Sequence, residues 1–511
     1  MQLIHPPGRH KAGPYNSINM TSQIISCINN LTRRQKTMLW LVGGPVRDAI
    51  LNRPCHDWDF VCRHARNIAL GLSRKLRATF VVLDEQNRIY RVVLPDKVTL
   101  DFAEMQGKTI EEDLSRRDLT INAMARALTP TPLPQEGEGG RRRRPGEGII
   151  DPFHGQRDLK TGTIRAVSEK AFIEDPLRLL RAFRFQSQFQ FAIDPRTLRW
   201  IKKHHHKLSD VSAERVREEL LRLWKQPCSS GSLPMMDRAG LLSVIFPEVE
   251  ACRRTAVRYY GKGGVLKHSF EAVENLEWIL KNGTVGAGLV PARNRIAGGH
   301  KTRPYDAYLN ETIGGYPRLA WLKWAAFLHD IGKPATAKVV KGRLRFFEHE
   351  RVGAELAVQV ARRLRCSRQE GQGLGLWVRH HMRLGNLAAA ARVTDKALSR
   401  FFRDLGEDGV GMVLVSLADH YTYLSKSLWG KGKDPVEKMG RELLRSFYDR
   451  RQKILPARLL NGHDLMRCLR IKPGPLVGKL LEAIQDAQAE GKVKTKEEAI
   501  GWAKRKVKAS V

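Results

Sequence analysis

The chain has few cysteines, no long apolar run and no acidic residue in its opening segment. The seven cysteines, at positions 27, 55, 62, 228, 252, 366 and 468, are scattered, odd in number and free of any C-x-x-C spacing. That argues against a disulfide framework or a structural zinc site and makes a reducing cytoplasm the expected location. No apolar run reaches the roughly 18 residues of a membrane-spanning helix, so an integral membrane protein is excluded. No Asp or Glu precedes Asp48, whereas Arg9, Lys11, Arg33, Arg34 and Lys36 do. This segment has neither a secretory apolar core nor the Arg-rich amphipathic face of a transit peptide. Residues 1–35 are therefore expected to be a disordered basic leader, or the product of a start codon assigned too early, with Met20 as the alternative start.

What is present is positive charge. The 511 residues carry 89 Lys+Arg against 53 Asp+Glu, a formal net charge of +36. A content of 42% hydrophobic and 28% charged residues fits a globular chain and excludes wholesale disorder. The length suggests about three domains. Excess charge of this size favours a polyanionic partner, nucleic acid first and an anionic membrane surface second, with a generally basic proteome as the bland alternative. Nothing in the sequence fixes the oligomeric state.

From Met38 the pattern alternates short apolar runs with turns: MLWLVGG, DFVC, TFVVLD, IYRVVL and VTLDFAE. These predict strands of a small α/β or α+β unit, with helices near 46–52 and 64–77. After about Ala166 the strand signal fades. Helices are expected at 175–190, 212–225, 266–281, 319–329, 350–365, 396–404 and 476–489. Two segments stand apart as insertions without apolar periodicity, 129–148 with the run Arg141–Arg144, and 282–318; both are expected to be exposed loops without chemistry.

The most informative stretch is Gly43–Phe60, GGPVRDAILNRPCHDWDF. Asp57 and Asp59 are two apart on a predicted strand, so both carboxylates point to one face and can meet the same ions. Mg²⁺ takes such hard oxygen donors and completes its shell with water and substrate phosphate. Gly43-Gly44 offers side-chain-free backbone that a triphosphate can approach. Taken alone, D-x-D also arises by chance and Gly-Gly also marks a plain turn. Downstream come Arg116-Arg117-Asp118-Leu-Thr-Ile-Asn122-Ala and then Glu174-Asp175-Pro-Leu-Arg178-Leu-Leu-Arg181. Arg117 suits a phosphate, and Asp118 and Asn122 suit a ribose hydroxyl, which separates ribonucleotides from deoxyribonucleotides. Asp101, in VTLDFAEM, is either a third metal carboxylate or an exposed strand aspartate. Asp175 followed by Pro176 is an N-cap with proline at the first helical position.

GG-x-V-R-D, D-x-D, R-R-D-x-T-x-N-A and E-D-x-x-R-x-x-R occur in the order found in the bacterial-type (class II) tRNA nucleotidyltransferase and poly(A) polymerase family, which the chain resembles from about 36 to 511. The resemblance implies a nucleotidyltransferase head with a small mixed β-sheet, followed by an all-α neck, body and tail. It implies nucleotide binding by Gly43, Gly44, Arg47, Arg117, Asp118 and Asn122, with Asp57 and Asp59 as the catalytic acids and Asp101 as the candidate third. Asp175 and Arg178 would read the incoming base's Watson–Crick edge in place of a template, with Arg181 in support. Asp151 matches a hinge-like element; Glu214 and Arg215 match a helix-stabilising motif. The expected domains are the head at 36–165, the neck at 166–250, the body at 251–440 and a tRNA-binding tail at 441–511.

The body carries a second constellation: His268, His329-Asp330 followed by Gly-Lys-Pro, His349, His380-His381 and Asp419. Imidazoles and carboxylates are the ligands of a divalent metal in a hydrolase. The order resembles the HD phosphohydrolase superfamily in its form able to hold two metals, which would make all seven residues ligand candidates. Lys333 is either a phosphate ligand or a plain helix-terminal lysine. Asn461-Gly462-His463-Asp464 repeats an H-D pair only superficially and reads as a turn and helix cap.

Together these features predict template-independent addition of C, C and A to tRNA 3′ ends from CTP and ATP, with Mg²⁺ at the head and a divalent metal of unspecified identity in the body. A poly(A) polymerase, an A-only or a CC-only enzyme shares the same motifs. A phosphohydrolase whose head merely positions RNA, or a catalytically dead tRNA-binding protein, predicts an inert head instead.

Overall fold

The computed structural model describes residues 22–55, 57–128, 148–282, 305–390, 394–449 and 456–508. Met20, Arg141–Arg144 and most of both insertions lie outside them. The chain divides into two compact units, Met1–Arg178 with Phe191–Ile201, and Leu179–Gln190 with Lys202–Val511. No helix among the described residues is long and apolar enough to cross a membrane.

In the first unit the five alternating runs form the strands they predict, β1 (Leu39–Val42), β2 (Asp57–Cys62), β3 (Thr79–Asp84), β4 (Ile89–Val93) and β5 (Thr99–Glu104), and two short strands that the sequence did not announce, β6 (Ala125–Ala127) and β7 (Ile149–Ile150), complete a seven-stranded sheet. Their order is β3-β4-β5-β2-β1-β6-β7. Only β2 and β5 pair in parallel, so the sheet is mixed. Inward-facing Leu39, Leu41, Phe60, Val92, Leu100 and Phe102 are buried, and Phe60 stacks on Phe102 with centroids 5.0 Å apart. The parallel register sets Asp57 beside Thr99 and Asp59 beside Asp101, which fixes the chemistry of this face.

Two expectations are corrected. Ser22–Arg34, expected within a disordered leader, is a helix whose Ile28 and Thr32 are buried and whose Leu31 closes on Gly71 of the helix Ala65–Leu76. The end of the second insertion is also structured. Asp306–Asn310 is a short helix, and Thr312–Ile313 pairs with Tyr316–Pro317. Tyr305 and Leu309 are buried, and the Trp321 indole N–H donates to the Ile313 carbonyl at 3.0 Å.

The second unit is helical, as expected. Its core is aromatic: Trp224 lies 5.2 Å from Trp324 and 6.3 Å from Phe246 between ring centroids, and Trp321 stacks on Trp324. Such ring pairs add about 0.5–1.5 kcal/mol beyond area burial. Beneath them Lys323, wholly buried, donates to Glu277 at 2.6 Å, and the same carboxylate accepts from the backbone and hydroxyls of Ser229 and Ser230. A sequence read as helix throughout also contains the β-hairpin Ala337–Val340 and Arg343–Phe346, turning through Lys341 and Gly342, both at positive φ. Asn461 caps the helix Gly462–Leu469 in a reciprocal capping box with Asp464, as the sequence predicts.

Candidate functional site

Gly43 ends β1 at φ +71°, a conformation that suits glycine, and an added Cβ would lie 3.0 Å from Arg117 Nη1 and 3.8 Å from Asp59 Oδ2. The loop, Arg117 and Asp59 therefore converge on one spot. Arg117 is ion-paired to Asp113 at 3.5 Å, yet its Nε has no hydrogen-bond partner. Behind the loop runs a buried chain of hydrogen bonds. Leu119 N–H and the Asn122 amide donate to Asp118, Arg47 Nη1 donates to Asn122 Oδ1 at 2.6 Å, and Arg47 also grips Asp48 through Nε and Nη2, each at 2.9 Å. Asp118, Asn122 and Arg47 thus reach the expected site, but they brace one another as well as facing a ligand.

On the sheet face, Asp57 Oδ1 accepts from the Thr99 hydroxyl at 2.7 Å. Asp59 neighbours Asp101, whose two oxygens are both held by Arg91 at 2.7 Å. Burial pushes the Asp59 carboxyl up to about 6, with Arg117 pulling against it and Asp101 and Asp57 pushing further. This surplus of negative charge fits a cation beside Asp57 and Asp59. Asp101 belongs to the row but is saturated by Arg91, and the three acids do not form a three-ligand group among the described residues.

Asp175 accepts Leu177 N–H at 3.3 Å and so caps the helix Leu177–Phe189. Arg178 lies 3.8 Å from that carboxylate and donates to the Ala171 carbonyl at 3.2 Å, which restrains its guanidinium. Arg181 sits 5.6 Å from the Phe185 ring. Asp151 accepts Gly155 and Gln156 N–H, the work of a helix cap.

In the helical unit the body's predicted ligands come together in two groups that share Asp330: His268, His329, Asp330 and Asp419, and Asp330, His349 and His381. All but Asp419 are buried. His329, His349 and His381 each bond through Nδ1 to the carbonyl three residues earlier, at 2.7–2.8 Å. That orients every Nε2 inward, the arrangement a metal-binding imidazole needs. His268 Nε2 stands 3.1 Å from Asp330 and 3.0 Å from Asp419; His349 Nε2 stands 3.4 Å from Asp330 Oδ1, an oxygen with no hydrogen-bond donor. Burial works against charge on His329, but Asp330 and Asp419 outweigh it and raise its pKa to about 10. Burial lowers the pKa of His349 despite Asp330, leaving its ring neutral. Asp330 is held well below the carboxylate range against its burial by Lys333 and His329. Buried anions facing imidazole nitrogens with an unsatisfied oxygen between them fit divalent cations at both groups. His380 is in neither: successive helix residues point about 100° apart, so the helix that aims His381 inward turns His380 away. Lys333 pairs with Asp330 and donates to the Tyr260 hydroxyl at 2.7 Å, so it is a member of the cluster rather than a plain helix terminus.

Family models match four segments: "Poly A polymerase head domain" at 39–165, "Probable RNA and SrmB- binding site of polymerase A" at 190–253, "HD domain" at 306–424 and "tRNA nucleotidyltransferase domain 2 putative" at 457–503. The CC-adding tRNA nucleotidyltransferase of Thermus thermophilus is 30% identical over 90% of this chain and 91% of its own. The chain belongs to the class II tRNA nucleotidyltransferase and poly(A) polymerase family, with an HD domain. The A-adding tRNA nucleotidyltransferase of Deinococcus radiodurans is 29% identical over 91% of this chain and 94% of its own. In fold, the chain resembles the Thermotoga maritima CCA-adding enzyme complexed with tRNA, at TM-score 0.61 and 22% identity over 95% of both chains.

The family motifs do not mark several residues that the structure places at the sites. Arg91 and Thr99 flank the head acids from β4 and β5. Tyr260 stacks on His268 with centroids 4.6 Å apart, and its hydroxyl meets that of Tyr423 at 3.0 Å. The sequence signal was the Tyr259-Tyr260 pair eight residues before His268.

Proposed function

We propose that the chain adds C, C and A to tRNA 3′ ends from CTP and ATP. The observation that carries this reading is the convergence of Asp57, Asp59, Gly43 and Arg117 on one face of the head sheet. Gly43 leaves room for phosphate, and the Arg117 Nε–H is free to donate to it. Asp59 must be ionised to act, and Arg117 favours that form. The chain Asp118–Asn122–Arg47 holds the loop rigid, and Asp118 presents an acceptor on the ribose side. Mg²⁺ held by Asp57 and Asp59 would supply the charge that acidifies the RNA 3′-hydroxyl and neutralises departing pyrophosphate. Asp175 and Arg178, each restrained by the other, read the base edge, with Arg181 in support. The basic surface holds tRNA by backbone charge and shape.

The HD groups support a second activity, hydrolysis of a phosphate ester, with His268, His329, Asp330, His349, His381 and Asp419 holding a divalent metal pair. Separate Asp57→Ala and His329→Ala variants test the division: the first abolishes incorporation and spares phosphate release, and the second does the reverse. An alternative to full CCA addition is favoured by one observation. The A-adding and CC-adding relatives align over 90–94% of the chain, whereas the multifunctional CCA proteins of Neisseria align over 42–67%. Single-nucleotide incorporation on tRNA transcripts ending before CCA, after C and after CC separates the cases. Two C then one A and a stop supports full addition. C alone, or A only on the CC transcript, supports a partial enzyme.

A further inference from the structure

His349, His381 and Asp419 of the HD groups line a cavity of about 860 Å³, with the exposed Tyr259, Arg343, Arg345, Phe347, Met382 and Tyr423 at its mouth. Single exposed apolar side chains are ordinary, but here several share one opening: Tyr259 is 74% exposed, Phe347 61%, Tyr423 49% and Met382 40%. Beside them stands the hairpin Ala337–Phe346. Its register sets Lys338 opposite Arg345 and Val340 opposite Arg343, and Val339 opposite Leu344. Alternate residues share a face, so one face carries Lys338, Arg343 and Arg345 and the other Val339, Leu344 and Phe346. Between Asp330 and Glu348 the chain has five basic residues and no acid, and Lys338, Arg343 and Arg345 make no ion pair among the described residues.

We propose that this mouth is a binding site for the unpaired end of an RNA strand, distinct from the RNA-binding segment at 190–253. Bases stack on Tyr259, Phe347 and Tyr423, phosphates pair with Arg343 and Arg345, and the terminal phosphate ester descends to the metal groups. Every base has a π-face, so exposed rings beside unpaired arginines suit single-stranded nucleic acid without sequence preference. Several rings spread around one mouth suit successive bases rather than a single mononucleotide. An acidic peptide would use the arginines but bring no base to stack on the exposed ring faces. The proposal deepens the phosphohydrolase reading of the same cavity and rests on it for the fate of the terminal phosphate, though not for the binding.

The test is photo-crosslinking of the full chain to an RNA octamer with 4-thiouridine next to a 3′-terminal phosphate, mapped by mass spectrometry over an RNA titration. Adducts are expected on the peptides carrying Tyr259, Phe347 or Tyr423. In the exposed double variant Arg343→Ala/Arg345→Ala, half-saturation of those adducts should move at least about tenfold upward, and its log–log salt dependence should flatten by about 1.4, roughly 0.7 per lost phosphate contact. Phe347→Ala should weaken the remaining adducts about tenfold. Adducts confined to the head and the 190–253 segment would overturn the proposal, as would adducts at the mouth indifferent to both variants. Phosphate release from the same octamer by the unmodified chain with Mn²⁺ is read separately. Its absence would sink the hydrolytic reading and leave the crosslinking result to decide the binding.

Discussion

Asp59 offers the sharpest quantitative handle on the head. Its carboxyl is raised from 3.8 to about 6, chiefly by burial. A cation beside Asp57 and Asp59 must displace that proton, so proton and metal compete. With a pKa of about 6, the group is about 90% ionised at pH 7 and about 10% at pH 5. The Mg²⁺ concentration for half-maximal incorporation should therefore rise about tenfold between those values. The assay is rapid-quench incorporation of one nucleotide across Mg²⁺ titrations from pH 5 to 7.5. A half-saturation constant flat across that range would refute the link between burial and metal demand. The same shift has a stability consequence. The folded pKa exceeds the unfolded one, so the folded state binds the extra proton. Stability then falls as pH rises from about 4 to about 6, and the loss persists above. Ionised Asp59 costs up to about 3 kcal/mol at neutral pH. Asp59→Asn should melt higher than the unmodified chain in chelator at pH 7.5, melt alike at pH 4, and incorporate nothing.

Three further outcomes are expected. Gly43→Ala places a Cβ 3.0 Å from Arg117 at φ +71°; it should destabilise by about 1–2 kcal/mol and reduce incorporation more than tRNA binding, read by thermal melts and by filter binding. Asp330→Ala removes the carboxylate common to both HD groups, so bound Mn²⁺ measured after gel filtration should fall at both while nucleotide incorporation persists. Lys323→Met leaves the largely buried Glu277 without its cation and should cost about 3 kcal/mol in denaturant unfolding; a loss under about 1 kcal/mol would show that Ser229 and Ser230 suffice.

Much of this was legible because period-2 alternation and the D-x-D spacing are local signals. Asp57 and Asp59 share a face for the same reason in any strand. What the sequence could not specify was which strand would flank them. The parallel pairing of β2 with β5 makes Asp101 a neighbour of Asp59, while β4 supplies the arginine that saturates it. Ser22–Arg34 was missed because basic, acid-free composition obscured an apolar stripe through Ile24, Ile28 and Leu31. The helix and hairpin at 305–318 are too short to show a period. Between Val340 and Arg343 the two positive-φ residues Lys341-Gly342 match a two-residue hairpin turn, a signal outweighed by the helical context. Between His380 and His381, sequence alone gives no phase by which to choose.

The aromatic core of the helical unit also determines what light can report. Of the ten tryptophans, Trp40, Trp58 and Trp200 belong to the first unit and the other seven to the second, with Trp224, Trp321, Trp324 and Trp377 fully buried there. Intrinsic fluorescence is therefore dominated by one half of the chain. An emission-monitored melt of a head variant follows mainly the unit that was not altered. A dye placed in the head, or calorimetry that weighs both units by their heat, is needed to register a loss confined to the catalytic sheet.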